Sequence, residues 1–299
     1  MKGSLMVQIP LWDDSMPIPV VNVASVRQRS PFRYPGGKTW LVPRIRQWLG
    51  SLPAKPSKFI EPFAGGAIVG LTVAFEHLAD LVVLVERDEQ VAAVWHTIIN
   101  TEDGAQWLAD QIVNFRLTPE SAKALLSSRP RSLKEKAFQT IVWNRVNRGG
   151  ILAPGAGMLK FGENGKGILS RWYPETLGRR ILDIASIRDR IKFIRGDGFE
   201  VIRKYAQCTD VVFFIDPPYT ASAKKAGARL YKYHQVNHEE LFQLAEKIKG
   251  DFLMTYDDAE EVRALAVTHS FETRLVAMNS THHAITNELL IGHDLAWVK

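Results

Sequence analysis

The run Val211-Val212-Phe213-Phe214-Ile215, followed at once by Asp216-Pro217-Pro218-Tyr219, constrains this chain more than any other stretch. Five consecutive apolar residues, β-branched or aromatic, read as a strand buried on both faces. Two prolines then stop it, because each fixes its own φ and biases the preceding residue toward extended backbone. Asp216 therefore falls at the carboxyl end of a buried strand. Pro217 has no N–H, so its carbonyl can be offered outward, and an ionised aspartate only accepts hydrogen bonds. Two acceptors beside the flat ring of Tyr219 suit a planar group bearing an NH2, such as the exocyclic amine of a nucleobase. In that arrangement the ring stacks on the base while Asp216 and the Pro217 carbonyl hold the two amine hydrogens. Taken alone, the tetrapeptide is equally a Pro-Pro turn with a solvated aspartate and a packing tyrosine.

The same punctuation recurs upstream. Phe59-Ile60-Glu61-Pro62-Phe63-Ala64-Gly65-Gly66-Ala67 reads as a short strand ending at an acid, a glycine turn and a helix from about Ile68 to His77. Glycines there let the backbone approach a ligand, and the helix N-terminus favours polar or anionic groups. Leu81-Val82-Val83-Leu84-Val85-Glu86 is a second apolar strand with a terminal carboxylate, placed to accept from ribose hydroxyls. Ile191-Lys192-Phe193-Ile194-Arg195-Gly196-Asp197 repeats the pattern. Four strands ending in acids predict one cleft at the carboxyl edge of a parallel sheet.

Strands are expected near 58–61, 81–86, 191–195, 211–215, 252–256, 271–278 and 287–292, with helices between most of them. The alternation predicts an α/β, Rossmann-like, doubly wound mixed sheet closed by a terminal antiparallel hairpin. An irregular arm (1–30), a first catalytic segment (31–104), an inserted, mainly helical domain with a loop-rich centre (105–188) and a second catalytic segment (189–299) complete the expected organisation.

The formal net charge of +6 is unevenly spread. Residues 111–190 hold 15 Lys and Arg against six Asp and Glu, a surplus of nine, so the remainder is net negative. Such a concentration is what a polyphosphate backbone attracts, although a solvated helical face is also rich in cations. Asn144, Arg145, Asn147 and Arg148 precede Gly149-Gly150 in this basic region, and Asn and Arg are suited to bidentate contacts with base edges. Both arginines serve a phosphate-holding role equally well. Lys160 and Lys166 lie in the Gly-rich stretch Gly149 to Gly167, which reads as loops or a hairpin able to enter a groove. They complete the candidate DNA-contacting set.

Other motifs fail on spacing. Gly36-Gly37-Lys38-Thr39 lacks the distal glycine of a phosphate-binding loop, where Phe32 stands instead. His234 and His238 are one helical turn apart, yet no further set completes a metal site, and His282-His283 reads as loop. Asn237 with Glu240 reads as a capping box opening a helix from Leu241 to Ile248. The only cysteine, Cys208, permits no intramolecular disulfide and suggests a reducing, cytoplasmic setting. No apolar run approaches the ~18 residues of a membrane span, and the early Asp13-Asp14 interrupts any signal-peptide pattern. No metal and no membrane are expected.

Phe32-Arg33-Tyr34-Pro35-Gly36-Gly37-Lys38, then Glu61-Pro62-Phe63-Ala64-Gly65-Gly66, then the Asp216 tetrapeptide resemble in content and order the alpha-group, Dam-like DNA adenine-N6 methyltransferases. Further matches are Asn144-Arg145 near Gly149-Gly150, Asn237-His238-Glu239-Glu240-Leu241 and Phe252-Leu253-Met254-Thr255-Tyr256-Asp257-Asp258; together they span most of residues 31–299, with the insert resembling the family least. The resemblance implies methyl transfer from S-adenosylmethionine to the N6 amine of an adenine flipped out of duplex DNA, with the insert reading the target. It further implies that Tyr34 and Lys38 enclose the cofactor and that Glu61, Phe63, Gly65 and Gly66 lie beside it. Glu86 would take its ribose, where many members have Asp, and Asp197 its adenine amine. Asp216, Pro217 and Tyr219 would hold the target base, with Asp216 next to the cofactor. Lys38 is alternatively a solvated lysine, and Asp197 a cap for the helix near Phe199.

A methyltransferase acting on RNA, on a protein glutamine or on cytosine N4 presents the same kind of amine, and a DNA-binding relative without catalysis is a further alternative. Aspartate rather than serine at 216 favours adenine by resemblance, and the basic insert argues against a protein substrate. A monomer is expected, bacterial or phage-encoded and used at the nucleoid. A cognate restriction endonuclease is the partner that the family allows.

Overall fold

The computed structural model describes residues 26–34, 36–153, 157–162, 165–218, 236–279 and 285–298. The expected apolar runs form seven strands: β1 (Lys58–Glu61), β2 (Leu81–Glu86), β3 (Ile191–Arg195), β4 (Val211–Ile215), β5 (Asp251–Asp257), β6 (Glu272–Asn279) and β7 (Ile285–Gly292). They make one sheet of order β3-β2-β1-β4-β5-β7-β6. The first five are parallel, and β7 runs antiparallel between β5 and β6. This is a doubly wound, Rossmann-like mixed sheet, as the strand punctuation predicts.

Strand alternation divides the core in two. Val212 and Phe214 of β4 join one apolar cluster, whereas Val211, Phe213 and Ile215 join the other. A strand covered on both faces has no polar position to spare, which is why β4 reads as an unbroken apolar run. The first face is covered by α1 (Val42–Ser51), α2 (Ile68–Phe75) and α3 (Glu89–Trp95), and the second by α8 (Gly198–Tyr205), α9 (His238–Ala245) and α10 (Glu260–Thr268).

Between β2 and β3 lie α4 (Gly104–Asn114), α5 (Pro119–Ser127), α6 (Leu133–Val146) and α7 (Pro174–Ala185). Local signals start them: Thr118 and Ser121 form a reciprocal capping box ahead of Pro119-led α5, and Ser132 caps α6. The expected insert is not set off by a core of its own. Leu108 of α4, Ile141 of α6 and Ile181 of α7 belong to the same apolar cluster as Phe59 and Val82 of the sheet. Asn237 caps α9 by accepting from the Glu240 amide, and the helix begins at His238, three residues before the expected start. An N-cap is where a helix begins, so Leu241 lies in its second turn. Among the described residues no helix is long and apolar enough to cross a membrane.

The strand order reverses at β1. From there the chain builds outward through β2 and β3, and then returns to the other side with β4 and β5. Ligands of open α/β sheets bind outside the carboxyl ends of strands at this switch point. Glu61 ends β1 and Asp216 follows β4, so these two acids flank it.

Candidate active site

Residues distant in sequence meet at the switch point. Asp216 is partly exposed beside buried Pro217. Its Oδ1 receives the Thr255 hydroxyl at 2.8 Å and the Lys38 ammonium at 3.1 Å. Lys38 Nζ also lies 2.9 Å from Glu288 Oε1 and donates to the Gly36 carbonyl at 3.0 Å. Lys38 is buried, which excludes its reading as a solvated lysine. Burial by itself would lower its ammonium, and the two carboxylates outweigh that, so its pKa is raised.

Sequence reasoning missed Glu288, which is 1% exposed. The signal was present: Glu288 opens the apolar run Leu289-Leu290-Ile291, as a mirror image of the strand-end acids. Because β7 is antiparallel to β5, its beginning lies at the edge where the parallel strands finish, with Glu288 in register with Asp257. Thr255, inside the β5 run, supplies the second hold on Asp216.

The glycine turn after β1 is tied to β2. Gly65 has φ +47°, and its N–H donates to Glu86 Oε2 at 3.0 Å. Glu86 Oε1 accepts from the Asp88 amide at 2.7 Å, and Trp95 Nε1 donates to the Gly65 carbonyl at 2.9 Å. Tyr34 lies over this turn: a Cβ on Gly65 or Gly66 would come within 2.6 or 2.8 Å of Tyr34 atoms. Burial pushes the Glu86 carboxyl up to about 7, against the lowering effect of its backbone donors. Glu61 is buried with Oε2 accepting from the Gly70 amide at 2.9 Å, and burial, reinforced by Asp216 and Glu86, raises its carboxyl well above the usual range. Gly70 itself is required by packing, since a Cβ there would sit 2.5 Å from Glu61 Oε2 and 2.6 Å from Leu84 Cδ2.

Asp197 caps α8 by accepting from the Phe199 amide at 2.9 Å, and its second oxygen lies 3.5 Å from Arg87. Phe63 meets Phe199 edge-on, with centroids 6.1 Å apart. Glu61, Glu86, Asp197 and Asp216 thus offer a cleft dominated by acceptors. S-adenosylmethionine presents the complement: a sulfonium and an ammonium cation, two ribose hydroxyls and an adenine amine. The side chains present fit that molecule, since the Glu86 carboxylate, with about four acceptor sites, keeps one beyond its backbone donors Gly65, Arg87 and Asp88. Tyr219 lies outside the described residues, as do Pro35, His234, His282 and His283. His238 contacts the Tyr256 hydroxyl through Nδ1 at 2.9 Å. Among the described residues no group of three or more His, Cys, Asp or Glu could hold a metal ion.

The candidate DNA-contacting set divides. Asn144 is 0% exposed; its side chain accepts from the Arg33 amide and donates to the carbonyls of Arg33 and Gly150. Arg145 is buried and donates to the Pro31 carbonyl, and buried Asn147 donates to that of Ile151. Asn144 and Asn147 are turned inward. Asn144 and Arg145 fasten the leading segment to the end of α6, and Asn147 ties down the turn that follows it, because a buried amide or guanidinium must find backbone partners. Arg148, Lys160 and Lys166 are exposed. Asn147 pairs with Met158 in an isolated antiparallel bridge.

Comparison with known proteins adds to this geometry. Residues 34–103 match the family of D12 class N6 adenine-specific DNA methyltransferases. A proposed RNA methyltransferase from Pyrococcus horikoshii is similar in structure, with a TM-score of 0.38 and 10% identity over 87% of this chain and 84% of that one. The precorrin-6y C5,15-methyltransferase of Geobacter metallireducens has a TM-score of 0.34 and 7% identity over 83% and 84%. No curated protein matches by sequence. The matched residues 34–103 contain the Gly65-Gly66 turn and Glu86.

Proposed function

We propose that this methyltransferase moves a methyl group from S-adenosylmethionine to the N6 amine of adenine in double-stranded DNA. The observation that carries the reading is the Asp216-Pro217 pair at the switch point, with Asp216 fixed by Lys38 and Thr255. Bound S-adenosylmethionine supplies a methyl group already activated by its sulfonium. The chain's own part is therefore positioning and electrostatics. Asp216 and the Pro217 carbonyl accept the two amine hydrogens, turning the nitrogen lone pair toward the donor, and Tyr219 stacks on the base. A base inside a duplex must be flipped to arrive there, at a few kcal/mol, which the stacking and the two acceptors offset. Glu86 holds the ribose and Asp197 the cofactor's adenine, with Glu61 and the Gly65-Gly66 turn beside the methionine part. Tyr34, Phe63 and Lys38 enclose it. Arg148, Lys160 and Lys166 face the DNA.

The test is transfer of labelled methyl to genomic DNA and, separately, to total RNA, followed by digestion to nucleosides. N6-methyladenine from the unaltered chain, with at least a ~100-fold loss in Asp216→Asn at near-unchanged cofactor affinity, supports the reading. Label confined to RNA or to cytosine N4 overturns the substrate, and wild-type turnover in Asp216→Asn overturns the role of Asp216.

A further inference from the structure

A second cavity contains none of the strand-end carboxylates. It has a volume of about 190 Å3, and its wall includes four arginines, Arg33, Arg145, Arg171 and Arg180, with the Tyr173 ring. Among the described residues no Asp or Glu lines it. The four arginines come from separate places: the leading segment, the last turn of α6, the turn before α7, and the second turn of α7. Arg145 forms the floor. It is 4% exposed, and its Nε has no hydrogen-bond partner among the described residues. Burial first, and then Arg180, Arg33 and Arg171, push its guanidinium down to about 9.

Arg145 is unfavourably placed there. Burying a guanidinium costs free energy unless it is paired, and three more cations around it add repulsion. Backbone anchors hold the cluster in spite of this: Arg145 donates to the Pro31 carbonyl and Arg180 Nη1 to that of Ser30 at 3.2 Å. Preset forks of this kind match the geometry of a tetrahedral oxyanion. Thr176 and Arg180 lie on one face over the first two turns of α7, next to Tyr173 at its N-cap.

We propose that this arginine cavity is a phosphate site, and that its occupant is a backbone phosphodiester of the polynucleotide substrate. The inference rests on the polynucleotide reading given above. A chain rather than a free anion is favoured by the neighbourhood: Tyr173 at the rim is 53% exposed, Phe161 is 82% exposed, and the exposed cations Arg148, Lys160 and Lys166 belong to the same insert. Exposed rings among cations suit bases and phosphates in succession.

The experiment uses the full chain and the variants Arg171→Gln, Arg180→Gln and the double variant, all at half-buried positions, so Arg145 and the fold are left in place. Thermal melts and S-adenosylmethionine titration check folding. A fluorescent mixed-sequence duplex is then titrated from about 50 to 200 mM salt, and inorganic phosphate is added separately at constant ionic strength. We expect each single variant to weaken duplex binding roughly tenfold and to reduce the salt slope by about one. Phosphate should leave the melt unchanged. Wild-type affinity and slope in the double variant would overturn the site. Phosphate that stabilises the unaltered chain but not the double variant, with duplex binding intact, assigns the cavity to a free anion and overturns the polynucleotide occupant. If the unaltered chain methylates no DNA while the variants still lose duplex affinity, the catalytic reading fails and the cavity stands. If DNA is methylated and the variants bind as the unaltered chain does, only the cavity proposal falls.

Discussion

Lys38→Met tests whether the cleft is held by a buried ion triad. The substitution keeps the length of the side chain and removes the one cation lying between Asp216 and Glu288, at 3.1 and 2.9 Å. At an effective dielectric of about 20, each contact attracts by roughly 5 kcal/mol before the cost of desolvation. Removing one partner leaves the others uncompensated, and for buried pairs the net penalty is about 3–5 kcal/mol. For a chain of 299 residues this corresponds to a fall of roughly 5–8 °C in Tm. The lysine pKa is raised above 10.5, so its contribution is fully present below that pH and is lost only above it. The Tm difference should therefore be the same at pH 7 and pH 9. Glu288→Gln in the Lys38→Met background removes the orphaned charge, and the double variant should regain about 1–3 kcal/mol of the loss. Circular-dichroism melts and denaturant titrations of the four proteins measure this cycle. Single-variant costs that add to within about 0.5 kcal/mol would refute the triad, since uncoupled residues add.

Burial raises the Glu86 carboxyl to about 7, so the folded state favours its neutral form. The associated stability is present below the ordinary value of 4.5 and is withdrawn as pH climbs to about 7, while the ionised form accepts ribose hydroxyls better. Calorimetry should show S-adenosylmethionine affinity rising several-fold from about pH 6 to 8, with a flat profile in Glu86→Gln; equal pH profiles would remove Glu86 from the contact. Gly70→Ala drives a methyl group against Glu61 and Leu84, and should cost about 1–3 kcal/mol in the denaturant midpoint at constant m-value. A midpoint unchanged from the parent contradicts that packing. Arg148→Ala, at an exposed position, should relax discrimination at one base position of the target by about 1–3 kcal/mol if it reads a base. Methylation across single-base variants of the target measures this, and uniformly reduced activity assigns the side chain to a phosphate.

What was legible in the chain is what local chemistry dictates. Strands β1 to β4 begin and end where their apolar runs do, because strands buried on both faces admit no polar interruption and prolines, glycines and acids stop them. Glu61, Glu86, Asp197 and Asp216 could be read as edge acids for the same reason. Asn237 announces α9 because a cap acts within one turn, and the helix starts at His238, directly after the cap, rather than at the first apolar residue Leu241. Tertiary structure alone decided which of these groups meet. Lys38 looks like part of a glycine-rich turn until the sheet order brings β4 and β7 to it, and Glu288 joins the cleft only because its strand runs backward. Asn144 and Asn147 have the chemistry of groove readers, yet the end of α6 turns them inward to satisfy the backbone carbonyls of Arg33 and Ile151. A side chain's donors and charge are written at its own position. Its partner is set by strand order, strand direction and the face on which a helix packs, and these follow from burying the whole apolar surface at once.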